Sequence, residues 1–218
     1  MMRTIRITGK GQIKVKPDMT RLTITLEDTY REYSETLKHS SEATKQIKDL
    51  FLAFGFEKSR LKTLSFNVDT EYKNYSEHNT YKRIFVGYSY RQVLKIEFDS
   101  DNKLLGNILY ALANSPLHPE FRISYTVKEP EAAKNRLLSK AMQDAKKKAL
   151  VLSQAADVTL KDIQSIDYSF VELDFQVNSI QNMLPSKASV PSMQDYDIEI
   201  EPDDIDVTDS VTVVWEIE

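Results

Sequence analysis

Ile5, Ile7, Gly9, Gly11, Ile13 and Val15 share one parity at the start of the chain, and Arg6, Thr8, Lys10, Gln12 and Lys14 share the other. Strict alternation over this length predicts one long, half-buried strand with two glycines on its inner face. Glycine at such positions marks a bulge or a place where another element packs close to the backbone. Gly9-Lys10-Gly11 also has the composition of a phosphate-gripping loop. That loop must run into a helix whose first N–H groups hold the anion, and here IKVKPD and a second strand pattern follow instead. Pro17-Asp18 marks a turn. Leu22, Ile24 and Leu26 then alternate with Thr23, Thr25 and Glu27, which predicts an antiparallel partner for the first strand.

The period changes in SETLKHSSEATKQIKDLFLAFG. Leu37, Ala43, Ile47, Leu50, Phe51 and Phe54 fall on one helical face, and Gly55 sits where a helix stop belongs. Two long strands follow. Leu64, Phe66, Val68 and Tyr72 keep one parity in the first; Ile84, Val86, Tyr88, Tyr90, Leu94, Ile96 and Phe98 keep it in the second, and polar KNYSEHNTYK lies between them as a hairpin tip. A short helix after Ser100-Asp101 turns Leu104, Leu105, Ile108, Leu109 and Leu112 inward, and Phe121, Ile123, Tyr125 and Val127 form another strand.

Pro130 suits the first turn of the longest helix. Its stripe of Ala133, Leu137, Ala141, Ala145, Ala149 and Leu152 is rich in alanine, so the helix can lie close to the glycine-bearing strand. A strand from about Leu160 to Phe170 follows, and the final strand turns Ile205, Val207, Val211, Val213, Trp215 and Ile217 to one side. Asp209 shares that side and must reach water through a bulge or find a partner. Residues 172–204 show no sustained period and read as a polar, mobile excursion within a single domain covering 1–218.

The strand and helix order ββαββαβαββ, carried by these local sequences, resembles the SIMPL domain family, also known as DUF541. The matching stretches are ITGKGQIKVKPDMTRLTITLE, YKRIFVGYSYRQVLKIEF, RLLSKAMQDAKKKALVLSQAADV and IEPDDIDVTDSVTVVWEIE. The positions that carry the likeness are Gly9, Gly11, Pro17, Gly87, Tyr88, Ala141, Ala145 and Trp215. The resemblance implies an α+β fold, a mainly antiparallel sheet packed by about three helices, and no established common reaction. One branch, the periplasmic immunogenic proteins, assembles into ring-like oligomers, and the family name comes from a mammalian signalling adaptor. Two departures stand out: Asp157 replaces the usual glycine after the long helix, and Pro202-Asp203 replaces Pro-Gly before the last strand. Asp tolerates left-handed and turn geometry.

Composition narrows the chemistry. The 218 residues include no cysteine, which excludes disulfides, thiolate metal sites and cysteine nucleophiles. A net charge of -4 supplies no global field toward nucleic acid or an anionic membrane. No stretch has the roughly 20 apolar residues that a spanning helix requires. MMRTIRITGKG contains no apolar signal-peptide core. The protein is therefore expected to be cytoplasmic as written, and exported only if a signal peptide has been removed.

His39, His78 and His118 are scattered over a helix, a hairpin tip and a loop, with no zinc-ligand spacing. There is no G-x-S-x-G elbow to support a hydrolase. Asp195, Asp197, Glu199, Glu201, Asp203, Asp204 and Asp206 crowd seven carboxylates into twelve residues, but Ile200 stands where a calcium loop needs glycine. The run reads as a solvated acidic face, with a weak cation site or a basic partner as the alternative. Lys146-Lys147-Lys148 reads as solvated helix surface. No cofactor is expected.

The tyrosines point elsewhere. Tyr72, Tyr88 and Tyr90 are expected inward, whereas Tyr75 and Tyr81 belong to the exposed end of the hairpin, where amphipathic aromatics favour interfaces. The long flanking strands also present edges that must be covered or paired. The sequence therefore predicts a non-enzymatic oligomeric assembly or scaffold protein. The alternative is a monomeric adaptor that binds another protein through residues 172–204 or the Tyr75–Tyr81 tip, and the third reading, behind both, is a hydrolase without a recognisable motif. The candidate interaction surface comprises Tyr75, Tyr81, Asp195, Asp197, Glu199 and Glu201.

Overall fold

A computed structural model describes residues 3–77, 80–168, 175, 177–178 and 200–218. The elements run β1 (Arg3–Val15), β2 (Met19–Tyr30), α1 (Tyr33–Ala53), a single 3-10 turn (Lys58–Arg60), β3 (Lys62–Glu77), β4 (Thr80–Asp99) and α2 (Asn102–Ala113). They continue with β5 (Glu120–Thr126), α3 (Pro130–Ala155), β6 (Leu160–Asp167), β7 (Val177–Asn178) and β8 (Ile205–Ile217). The fold is α+β, and the element order follows the one expected except for the two-residue β7, which falls within the 172–204 stretch expected to be irregular. The strands form two sheets, ordered β1-β8-β6 and β3-β4-β2-β5-β7. The chain divides into two compact units, one of residues 1–18, 126–177 and 202–218, the other of residues 19–125 and 178–201.

β1 and β2 are not partners, contrary to the sequence expectation. β1 pairs antiparallel with β8 along its whole length, and β2 pairs antiparallel with β4. The intervening Lys16-Pro17-Asp18 carries the chain from one sheet to the other. Pro17 has no N–H to close a hairpin. The Asp18 N–H instead donates to the Thr126 carbonyl at 3.2 Å, and its Oδ1 accepts from the Lys128 N–H at 2.8 Å.

In the first unit α3 lies on β1 and β8. Two apolar clusters form beneath it: Ile7, Ala141, Ala145, Ala149, Val211, Val213 and Trp215 in one, and Ile13, Val127, Leu137, Phe175, Ile205 and Val207 among the other. Gly9 and Gly11 lie between them. A Cβ on Gly9 would stand 2.1 Å from the Ala141 carbonyl oxygen, and one on Gly11 would stand 2.2 Å from that of Leu137. The glycines therefore seat the helix backbone directly on the strand, as their inward parity predicted. Leu152 is 48% exposed, and the buried stripe ends on Ser153 instead. Ser153 can be buried because its hydroxyl donates to the Leu150 carbonyl at 3.0 Å.

Asp209 lies between the two clusters, directly across from Gly11 in a continuous register, so no bulge turns it outward. It is 8% exposed. Its Oδ1 accepts from the Ser210 N–H at 2.7 Å, while Oδ2 meets no donor with hydrogen-bond geometry among the described residues. The Tyr168 hydroxyl stands near it: burial, then the charge of Asp209, pushes the Tyr168 pKa up. Asp157 takes the left-handed turn after α3, at φ 53°.

In the second unit Leu22, Ile24, Leu94, Ile96, Ile47, Leu105, Ile108 and Leu112 form a fully buried core. Each such side chain contributes about 1.5–3 kcal/mol when it leaves water. The stripe of α1 is rotated from the expected one: Leu37 is 39% exposed, and Thr36, Ser40, Ala43, Ile47 and Phe51 face the core. Thr36 and Ser40 satisfy their hydroxyls on backbone carbonyls of Glu32 and Leu37. Gly55, at φ 86°, ends the helix as expected, its N–H donating to the Leu52 carbonyl at 3.0 Å. Asp101 caps α2 by accepting from the Leu104 N–H at 3.0 Å.

Candidate interaction surface

β3 and β4 pair antiparallel from Lys62↔Lys95 to Glu77↔Thr80, with register shifts at Thr63/Ser65 and Glu71/Tyr72. β3 ends its sheet, and α1 packs on β2 and β4. The expectation that Leu64, Phe66, Tyr72 and Ile84 are inward is therefore corrected. They are 55%, 42%, 38% and 50% exposed, because alternation selects a face and the helix covers that face elsewhere. Val68 and Tyr88 are half-buried, and Tyr90 alone of the three expected tyrosines is buried. The shift at Glu71/Tyr72 puts Phe85, rather than Val86, opposite Tyr72. Gly87, beside that shift, meets β2 at close quarters: a Cβ there would lie 2.1 Å from the Tyr30 carbonyl oxygen.

An aromatic strip results. Tyr33 meets Tyr88 edge-on at 5.4 Å between centroids, Tyr88 meets Phe85 at 5.3 Å, and Phe85 meets Tyr72 at 5.6 Å. The Arg83 guanidinium closes the strip 4.0 Å above the Tyr72 ring. Edge-to-face pairs of this kind contribute about 0.5–1.5 kcal/mol each beyond burial. The strip thus holds its shape while Tyr33, Tyr72 and Phe85 remain largely open to solvent. Nearer the middle of α1 lies a concave basin of about 580 Å³, lined by Thr44, Lys45, Lys48, Lys58, Phe66 and Gln92 among others. Thr44 donates to Gln92 Oε1 at 2.7 Å, and Lys58 reaches Asp49 at 2.8 Å, holding its carboxyl below the usual range.

Tyr75 pairs in register with Lys82, and Tyr81 with Ser76, at the far end of the hairpin. Glu201 is exposed immediately before Pro202. Asp195, Asp197 and Glu199, with most of the 172–204 excursion and His78, lie outside the described residues. His39 stacks on Tyr30 at 4.2 Å and contacts Glu42 at 3.4 Å. His118 occupies a left-handed turn at φ 44°. No group of three or more His, Asp or Glu side chains suited to a metal forms among the described residues. No helix among them is long and apolar enough to cross a membrane.

One functional arrangement escaped the sequence reading. β1 is an edge strand, and residues 8, 10 and 12 point their backbone groups away from β8. α3 answers each of them with a side chain at four-residue spacing. Lys140 Nζ donates to the Gln12 carbonyl at 3.1 Å, Asp144 Oδ2 accepts from the Lys10 N–H at 2.7 Å, and Lys148 Nζ donates to the Thr8 carbonyl at 3.3 Å. Lys148 also pairs with Asp144 at 2.7 Å. The helix that packs on this strand therefore also seals its edge. The trace in the sequence is the row Lys140, Asp144, Lys148.

A comparison with curated proteins returns no match. The family model described as SIMPL, protein of unknown function (DUF541), matches residues 5–215. That span contains α1, α2, α3, all but the outermost residues of β1 and β8, and the glycine–alanine contact between β1 and α3, and on it the chain belongs to the SIMPL (DUF541) family.

Proposed function

We propose that this protein is a non-enzymatic assembly module that associates with further copies of itself through β3. One observation carries the proposal: a 16-residue strand ends its sheet with a free edge, and the face beside that edge is apolar and uncovered. A free strand edge is a template for pairing with another strand. Two copies joining β3 to β3 would extend both sheets and bring Phe66, Tyr72 and Phe85 of each under the other.

Size-exclusion chromatography with light scattering, run over a range of concentrations, tests this. A stable multiple of 25.1 kDa that Phe66→Lys and Tyr72→Lys reduce to the monomer supports the proposal. Both positions are exposed, so the substitutions leave the monomer folded. A monomer at every concentration overturns it. The adaptor reading, through the hairpin tip or residues 172–204, then takes its place.

A further inference from the structure

The lysine triplet of α3 has a structural neighbour that its sequence did not announce. Lys146, Lys147 and Lys148 are followed, one alanine later, by Leu150, Val151 and Leu152, and these three are 41%, 64% and 48% exposed. Ala149 and Ser153 are buried against the sheet, so the outer side of the last two helical turns is apolar where a surface helix ordinarily carries charge. Between this side of the helix and β1 lies a groove of about 460 Å³, lined by Arg6, Ile7, Thr8, Lys147, Lys148, Val151 and Leu152. Its volume falls within the roughly 300–1,000 Å³ of small-ligand clefts.

The charges around the groove are already committed, with one exception. Lys148 is held by Asp144 and the Thr8 carbonyl, and the Arg6 guanidinium pairs with Asp167 at 3.5 Å. Lys147 makes no ion pair within 4.0 Å among the described residues, and its charge acts on Asp144 only at longer range. The groove therefore has an apolar floor of Ile7, Val151 and Leu152 and one available cation at its rim. An apolar floor selects an alkyl chain, and a lone ammonium at the rim selects an anion at the end of that chain. We infer that this groove binds a single-chain anionic amphiphile, with its carboxylate on Lys147 and its chain along Ile7, Val151 and Leu152.

Sodium decanoate, kept below its micelle-forming concentration, is the probe. Decyl maltoside, with the same chain and no charge, is the control. Binding is followed from the methyl NMR signals of Ile7, Val151 and Leu152, which also report that the fold is intact. Decanoate is expected to shift these signals and to bind more tightly than decyl maltoside. Lys147→Glu is expected to weaken decanoate roughly fivefold to tenfold and to leave decyl maltoside unchanged. Val151→Asp, at an exposed position, is expected to weaken both ligands. Unshifted methyl signals, equal affinity for the two amphiphiles or indifference to Lys147→Glu would overturn the inference. Capture by phosphatidylglycerol vesicles without any response to decanoate would overturn it too, since the partner would then be a bilayer surface.

Discussion

Gly9→Ala places one methyl group between β1 and α3, and the structure fixes what that methyl meets. It would stand 2.1 Å from the Ala141 carbonyl oxygen, 2.4 Å from the Ala145 nitrogen and 2.6 Å from the Ala145 Cβ. Ordinary contact begins at 3.4 Å, so the helix must withdraw by about 1.3 Å. The Lys10 N–H to Asp144 bond, now 2.7 Å, would stretch to about 4 Å, beyond hydrogen-bond range. Overpacking of this kind costs about 1–3 kcal/mol. Loosening Ala141, Ala145 and Ala149, all fully buried, adds about 1 kcal/mol more. The expected loss is about 2–4 kcal/mol, a fall in Tm of roughly 5–15 °C. Trp215 is the sole tryptophan and is buried in the cluster under the helix, so its fluorescence reports this unit selectively. Two of the three clashes are with backbone, so adding Ala145→Gly should restore little. Exposed Gln12→Ala serves as the control and should stay within about 0.5 kcal/mol. A Gly9→Ala transition within about 1 kcal/mol of the parent, or full rescue by Ala145→Gly, would refute the argument that backbone rests on backbone here.

Replacing Lys140, Asp144 and Lys148 together with alanine should leave the helix in place and open the β1 edge; light scattering should then rise with concentration well above the parent, and an unchanged trace would show the row to be ornamental. Burial opposes ionisation of Glu97, but Arg21 at 2.6 Å and Lys95 at 3.3 Å hold its carboxyl below the ordinary 4.5. Its contribution to stability is thus complete above about pH 4.5 and is lost as the pH falls through the lower folded value. Urea midpoints between pH 5 and 3 should fall less steeply in Arg21→Gln than in the parent. Asp209→Val fills an inward position between Val207 and Val211 and removes a buried carboxylate whose Oδ2 meets no donor in hydrogen-bond geometry among the described residues, so it should raise stability by about 1–2 kcal/mol in urea titrations followed by Trp215. A loss of stability would mean that the Ser210 N–H and the Tyr168 hydroxyl hold the carboxylate strongly enough to offset its burial.

Local pattern disclosed most elements and one tertiary contact. Alternation set β1 and β8, period set α3, and inward glycine against alanine announced their contact. The errors share a physical origin in facts that lie far apart along the chain. Thr36, Ser40 and Ser153 are buried polar residues that satisfy themselves on the preceding helical turn. Hydroxyl chemistry therefore hides them, and the apolar period points to Leu37 and Leu152 instead. The row on β3 has an apolar parity, yet only the placement of α1 decides whether that parity is covered. Pairing of β1 with β8 rather than β2 spans about 200 residues, and no local turn encodes it. The candidate surface was legible as far as the hairpin and its tyrosines. The aromatic strip depended on the register shift at Glu71/Tyr72, which moves Phe85 onto the face of Tyr72.

The seal on β1 gives the β1-β8-β6 sheet a direction of growth. Side chains of α3 occupy one border, and the other is β6, whose residues from Lys161 to Asp167 are exposed. Among the described residues, the border left for a strand arriving from outside is β6. If that strand were β6 of a second copy, antiparallel pairing would make the contact two-fold, each copy presenting the same border to the other. The outward borders of the joined sheet would then both be β1, already sealed. Strand addition to the β1-β8-β6 sheet therefore ends at a closed pair.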